Sequence, residues 1–197
     1  MPMRTSSETK LLDAVDELVF SQGIEATPVD AVLARAGVSA ATMYRGYRGK
    51  DALVAAALER RHERWRALWD RAVDAAGDDG AQRLLAVFDA MDEFARRPAG
   101  ARWCAFLGTA AEYAAAPPEI AAAVDRDTVH LRETLGRLAA DIACRDPEAL
   151  AEQVLVVVTG ELAMRLRENS RRTSAVGRRI AAALIEAALI EAPSSPR

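Results

Sequence analysis

Apolar side chains recur at helical spacing along nearly the whole of this chain, and polar runs or glycine and proline interrupt them. Leu11, Leu12, Val15, Leu18 and Val19 trace a first stripe, opened at Ser7 or Thr9 and stopped by Gly23. A second, over 27–36, uses Val29, Val32, Leu33 and Ala36. Its start is signalled by Thr27, Pro28 and Asp30, which read as a capping box with proline at the first helical position. Gly37 stands where a helix exits through a left-handed residue, and Ser39 can cap a third helix over 39–47. A long helix over 50–75 follows, then a loop at Ala76-Gly77-Asp78-Asp79-Gly80. Further helices are predicted over 81–97, 103–113, 119–143, 147–167 and 174–190, with a frayed tail over 192–197. Alanine and leucine are abundant and β-branched runs are few, so the fold class is all-α.

The stretch 27–50 carries a specific chemistry. Val38, Met43 and Tyr47 fall on the inner side of the third helix, leaving Ala40, Ala41, Thr42, Tyr44 and Arg45 outside. Small residues at a helix start permit close approach to a groove floor, and a hydroxyl, a phenol and a guanidinium reach phosphates or base edges. Between Ala31 and Lys50 there is no Asp or Glu, yet Arg35, Arg45, Arg48 and Lys50 are present. In a chain of net charge −3, that local run matters more than the total. Two short helices around a glycine corner, the second dressed this way, predict a helix-turn-helix for double-stranded DNA. Ala40, Ala41 and Thr42 would face base edges and Tyr44, Arg45 and Lys50 would anchor phosphates, with Ser39 and Arg48 as further DNA-binding candidates. Lys50 opens a helix, where the dipole disfavours a cation, so it reads as a phosphate contact or else as a solvated surface lysine.

Several blocks at fixed spacing carry a family likeness: Leu11-Leu12-Asp13-Ala14, Gly23-Ile24-Glu25-Ala26-Thr27, Ala36-Gly37-Val38-Ser39, Thr42-Met43-Tyr44-Arg45 and Lys50-Asp51-Ala52-Leu53. Over this first quarter the chain resembles the tetracycline-repressor (TetR) family of bacterial transcriptional regulators. It departs from the pattern at Gly46, where a polar residue near phosphate is usual, at Tyr47 in place of a commoner Phe, and at Leu33 in place of a small residue. The resemblance implies an N-terminal three-helix DNA-binding domain over 1–52 and a larger helical-bundle domain over 53–197 for effector binding and dimerisation. It also implies a phosphate contact for Thr27 through the start of its helix. The segment 103–113 is similar to a Cys-x-Phe…Ala-Glu-aromatic stretch that lines the effector cavity in one branch of the family.

Composition adds boundaries. With 51% hydrophobic and 28% charged residues, the 197-residue chain can build a sizeable core. The N-terminus lacks the apolar segment of a signal peptide and Val154 to Val158 is too short to span a bilayer, so a cytoplasmic protein without membrane contact is expected. Cys104 and Cys144 fit a reducing compartment, and a redox role for either stays open. No phosphate loop, nucleophile elbow or metal-spaced Cys/His set is found, so neither catalytic residues, a metal nor a cofactor are predicted. The run Glu59 to Arg66 alternates arginine with glutamate and reads as a solvated face with i,i+4 pairs.

The few aromatics concentrate between Trp65 and Tyr113. Trp65, Trp69, Phe88, Met91, Trp103, Phe106, Thr109, Tyr113 and His130 are the candidate lining of a small-molecule site between helices, with Glu112 a further polar group; each alone also suits an ordinary core. The last two helices carry apolar residues on more than one face, which predicts a homodimer seam. The expected function is a ligand-responsive regulator, a repressor released by a small apolar or aromatic effector. The alternative is a helical dimer that regulates through a protein partner without a small molecule.

Overall fold

The computed structural model describes residues 4–97, 104–168 and 173–190. Among them lie nine α-helices: α1 (Thr5–Gln22), α2 (Val29–Ala36), α3 (Ala40–Gly46), α4 (Lys50–Ala75), α5 (Gly80–Arg96), α6 (Ala105–Glu112), α7 (Pro118–Ala140), α8 (Pro147–Glu168) and α9 (Ala175–Ile190). The helices form where the apolar periodicity places them, and most of the differences are at their ends. α1 begins at Thr5, just ahead of Ser7, and α7 stops at Ala140, after which Ile142 turns back to the Ala139 carbonyl. Asp146 caps α8 by accepting the Ala149 N–H at 2.9 Å, with Pro147 in the first turn, where its missing N–H costs nothing.

The chain divides into two compact units, Met1–Arg64 with Arg97–Asp127 and Trp65–Arg96 with Thr128–Arg197. A division at residue 52 would instead pass through the start of α4, whose Leu53, Val54, Ala57 and Leu58 are buried in the first unit's core. α4 and α7 each give their first part to one unit and the remainder to the other.

The first unit packs α1, α2 and α3 around Leu11, Val15, Val19, Val32 and Met43, joined by Ile24, Phe106 and Ile120. Beside this apolar core runs a charged seam. Asp16 on α1 has a side chain only 2% exposed; it accepts Arg60 at 2.7 Å and Arg64 at 3.2 Å, with Arg61 at 3.6 Å. The run Glu59 to Arg66 is therefore solvated only in part, at Glu63, Arg64 and Arg66. Arg61 is buried and lies over the Phe20 ring, and His62 Nδ1 lies 2.9 Å from Asp127 Oδ1. A buried carboxylate is tolerated only with partners, and α4 supplies three guanidiniums.

In the second unit, Trp69, Phe88, Leu84, Leu135, Leu138, Val154 and Ile185 make the core. The start of α9 is pinned by polar groups. Buried Arg165 donates to Asp92 at 2.5 Å and to Ser174 Oγ at 2.6 Å, and Glu161 accepts the Gly177 N–H at 2.8 Å. A Cβ on Gly177 would meet Glu161 Cγ at 2.5 Å, so only glycine lets α9 approach this closely.

Candidate nucleic-acid interface

The turn between α2 and α3 is built from its own residues. Gly37 adopts φ 63°, ψ 36°, its N–H bonds the Ala34 carbonyl, and the Val38 N–H reaches back to Leu33 at 3.2 Å. These are the paired bonds of a Schellman motif, which closes the free carbonyls of α2. Ser39 then caps α3, accepting the Thr42 N–H at 3.3 Å. Met43 is fully buried, and burial of such a side chain contributes about 2 kcal/mol, enough to fix which face of this seven-residue helix points inward. Val38 and Tyr47 pack beside it.

The opposite face is open. Ser39, Ala40, Ala41, Tyr44, Arg45 and Arg48 are exposed, Tyr44 at 57%, while Thr42 is half-buried. A line of polar atoms runs along this face: Ser39 Oγ and Thr42 Oγ1 are 3.0 Å apart, and Arg45 donates to Thr42 Oγ1 at 2.8 Å. Side chains three apart on a helix are neighbours, so one hydroxyl, a second and a guanidinium are linked in sequence and form a connected edge. Arg35 does not belong to this edge; it pairs with Glu17 of α1 at 2.5 Å.

Two expected contacts sit elsewhere. Thr27 is 1% exposed and donates its hydroxyl to the Gly23 carbonyl at 2.8 Å, so the expected capping box with Asp30 does not form. Pro28 takes the cap position of α2 without a side-chain bond. Lys50 is half-buried and its ammonium donates to the Ile24 carbonyl. An unsatisfied carbonyl, rather than a nearby anion, is thus its partner in the free protein. Tyr47 donates to Glu8 of α1 at 3.1 Å, and burial first, then the Glu8 carboxylate, pushes its phenol up to about 12.

The candidate effector residues are parted between the units. Phe106, Thr109 and Tyr113 belong to the first, and Trp65, Trp69, Phe88, Met91 and His130 to the second. Trp103 lies outside the described residues. In the second unit Trp65 and Trp69 stack obliquely at 5.5 Å, Phe94 meets Trp65 edge-on at 5.9 Å, and His130 meets Trp69 edge-on at 5.8 Å. Trp69 is 1% exposed, and its indole nitrogen has no hydrogen-bond partner among the described residues. Phe88 and Met91 are ordinary core residues here. In the first unit the Thr109 hydroxyl is buried and likewise without a partner, and Tyr113 is partly packed into the core, its phenol pushed up by burial and by Asp51, Glu25 and Glu112. Glu112 is engaged with the backbone: its carboxylate accepts the Ile24 N–H at 2.7 Å and the Glu25 N–H at 3.2 Å. Sequence reasoning missed that contact, because the partners are 88 and 87 residues apart.

Burial pushes the Cys104 thiol up to about 11, which keeps it protonated and slow to react. Cys144 belongs to the other unit. Among the described residues no helix is long and apolar enough to cross a membrane.

The sequence profile described as "Bacterial regulatory proteins, tetR family" matches residues 11–57, which contain α2, α3 and the start of α4. No curated protein sequence matches the chain. Among solved structures, SCO4454, a TetR-family transcriptional regulator from Streptomyces coelicolor, is 25% identical with a TM-score of 0.80, covering 96% of this chain and 91% of its own. Regulatory protein TetR from Rhodobacter sphaeroides shares the fold at 20% identity and a TM-score of 0.78, covering 90% of this chain and 98% of its own. A TetR transcriptional regulator from Chloroflexus aurantiacus J-10-FL does so at 20% identity and 0.77, covering 91% and 94%. The profile thus marks the helix-turn-helix as a TetR-family DNA-binding region, and the all-α chain has the fold of TetR-family transcriptional regulators over 96% of its length.

Proposed function

We propose that this regulator is a homodimeric repressor that releases its operator when a small apolar or aromatic effector binds. The observation that carries the DNA half is the outer face of α3, where Ala40 and Ala41 leave room for base edges and the Ser39–Thr42–Arg45 edge lies ready beside them. Tyr44, Arg45 and Arg48 are the phosphate contacts in this reading, with Lys50 joining if its ammonium leaves the Ile24 carbonyl. Thr27 acts from inside, bracing the corner before α2.

Dimerisation is supported by α8 and α9. Val176, Ile180, Ala183, Ala187 and Ile190 recur at spacings of four and three on α9 and are all exposed, and Val156 and Met164 are exposed on α8. A helix with one apolar stripe in its core and a second in water has surface left for another copy. Symmetry also serves recognition: one seven-residue helix reads few bases, whereas two reach successive major grooves about 34 Å apart.

For the effector, the second unit's aromatic group of Trp65, Trp69, Phe94 and His130 is the favoured place. A buried N–H left without an acceptor is costly, so a planar molecule carrying a carbonyl or similar acceptor suits the Trp69 indole. Its action on DNA binding requires a different affinity for the two states, and α4, which contributes residues to both units and leads directly from α3, is a covalent route.

The test is to recover duplexes retained by the purified protein from a random library, then to screen apolar aromatic compounds by thermal shift and by release of that duplex. Specific retention with a stabilising, releasing compound is expected; a ligand at about 100 times its Kd stabilises by about 2.7 kcal/mol. Retention without sequence preference sinks the operator reading. Specific retention that no compound disturbs favours a protein partner.

A further inference from the structure

The corner between α1 and α2 is held from outside the three-helix head. Gly23 turns it with φ 101°, ψ 153°, a conformation open to glycine. The next peptide is gripped on both sides. Glu112, the last residue of α6, accepts the Ile24 N–H at 2.7 Å and the Glu25 N–H at 3.2 Å. Lys50, the first residue of α4, donates to the Ile24 carbonyl. A Cβ on Gly23 would lie 3.3 Å from both Glu112 oxygens, so the close approach of the carboxylate also depends on that glycine. Thr27 closes the corner internally through the Gly23 carbonyl.

We propose that Glu112 is a positioning residue for DNA binding: a latch through which the end of α6 sets the orientation of α2 and α3. Three features make the latch specific. The carboxylate binds backbone amides, so it fixes the path of the chain entering α2 rather than one side chain's rotamer. The same Ile24 peptide is tied to α4, so a shift of α6 against α4 must either break the pair of amide bonds or carry the corner with it. Finally, α2 leads directly into the Schellman turn and α3, and the three head helices pack on one another, so the corner moves the reading face as a piece. Glu112 itself is exposed, and it therefore acts on alignment more than on overall stability.

Affinity for DNA scales with the population of correctly oriented heads, so freeing the corner lowers apparent affinity without touching a DNA contact. The experiment compares full-length wild type, Glu112→Gln and Glu112→Ala in three measurements. These are melting temperature, amide hydrogen exchange at Ile24 and Glu25 without DNA, and affinity for a duplex that the wild type retains, or for a mixed-sequence duplex at low salt. The alanine variant is expected to exchange both amides faster and to bind duplex about three- to tenfold more weakly at a nearly unchanged melting temperature. Glutamine keeps one acceptor oxygen and should fall between. Faster exchange with unchanged affinity overturns the latch, as does unchanged exchange. A wild type that binds no duplex at all overturns the DNA-binding reading as well, and the exchange arm, which needs no DNA, keeps the two failures apart.

Discussion

Two corners of the head, 14 residues apart at Gly23 and Gly37, solve the same problem in different ways. The Gly37 corner is closed by neighbours: Leu33, Ala34 and Val38 supply the backbone bonds and Ser39 caps the next helix. The Gly23 corner has local bonds too, from its N–H to Val19 and from Thr27, but it adds Lys50 from α4 and Glu112 from α6. A corner sealed by local bonds keeps its shape wherever the rest of the chain goes. One sealed by distant side chains is tied to them, and a DNA-binding head that must answer to another part of the protein needs one of each. The α2–α3 turn holds the reading surface constant, while the α1–α2 corner is where its orientation can be adjusted.

The strongest way to break this contrast is to give both glycines a side chain. Gly23→Ala should destabilise the protein by about 2–3 kcal/mol, because its conformation is nearly glycine-only and the new Cβ crowds the Glu112 oxygens. Gly37→Ala should cost less, about 1 kcal/mol, since an added Cβ meets nothing within 4 Å and only the left-handed conformation is penalised. Urea denaturation of the two variants measures the difference, and equal losses would erase it. Next in size, Ser39→Ala removes the cap of α3 and should cost about 1 kcal/mol, in the same denaturation assay, without altering exchange at Ile24. The smallest effect is seen by raising the pH. Tyr47 and Cys104 hold their protons to about 12 and about 11 in the folded chain, above their unfolded values. The folded state thus binds more protons, and stability should fall as pH rises from about 9 toward 12. Tyr47→Phe should flatten that decline in a melting series; an identical decline would mean that the phenol does not contribute.

The contrast also explains what was legible beforehand. Gly37, Ser39 and the spacing of Val38, Met43 and Tyr47 are local signals, and the turn formed as they indicate. Thr27, Pro28 and Asp30 were local too, yet the expected box is absent because the Thr27 hydroxyl has a buried carbonyl within reach. Glu112 on the corner and Asp16 among Arg60, Arg61 and Arg64 were not legible: periodicity along one helix is silent about which side chain 44 or 88 residues away will meet it. The arginine-rich run of α4 was misread for the same reason, since a helix surface that faces a carboxylate on another helix has the composition of one that faces water. Aromatic clustering likewise pointed to one site, but a sequence window does not reveal that α4 and α7 divide between two units.

Whether the outer face of α3 touches the DNA backbone is decided by a salt series on Arg45→Ala. On a duplex retained by the wild type, binding should weaken and the plot of log affinity against log salt should become shallower by about one, the share of one lost phosphate contact. Affinity and slope that both match the wild type across the series would contradict it.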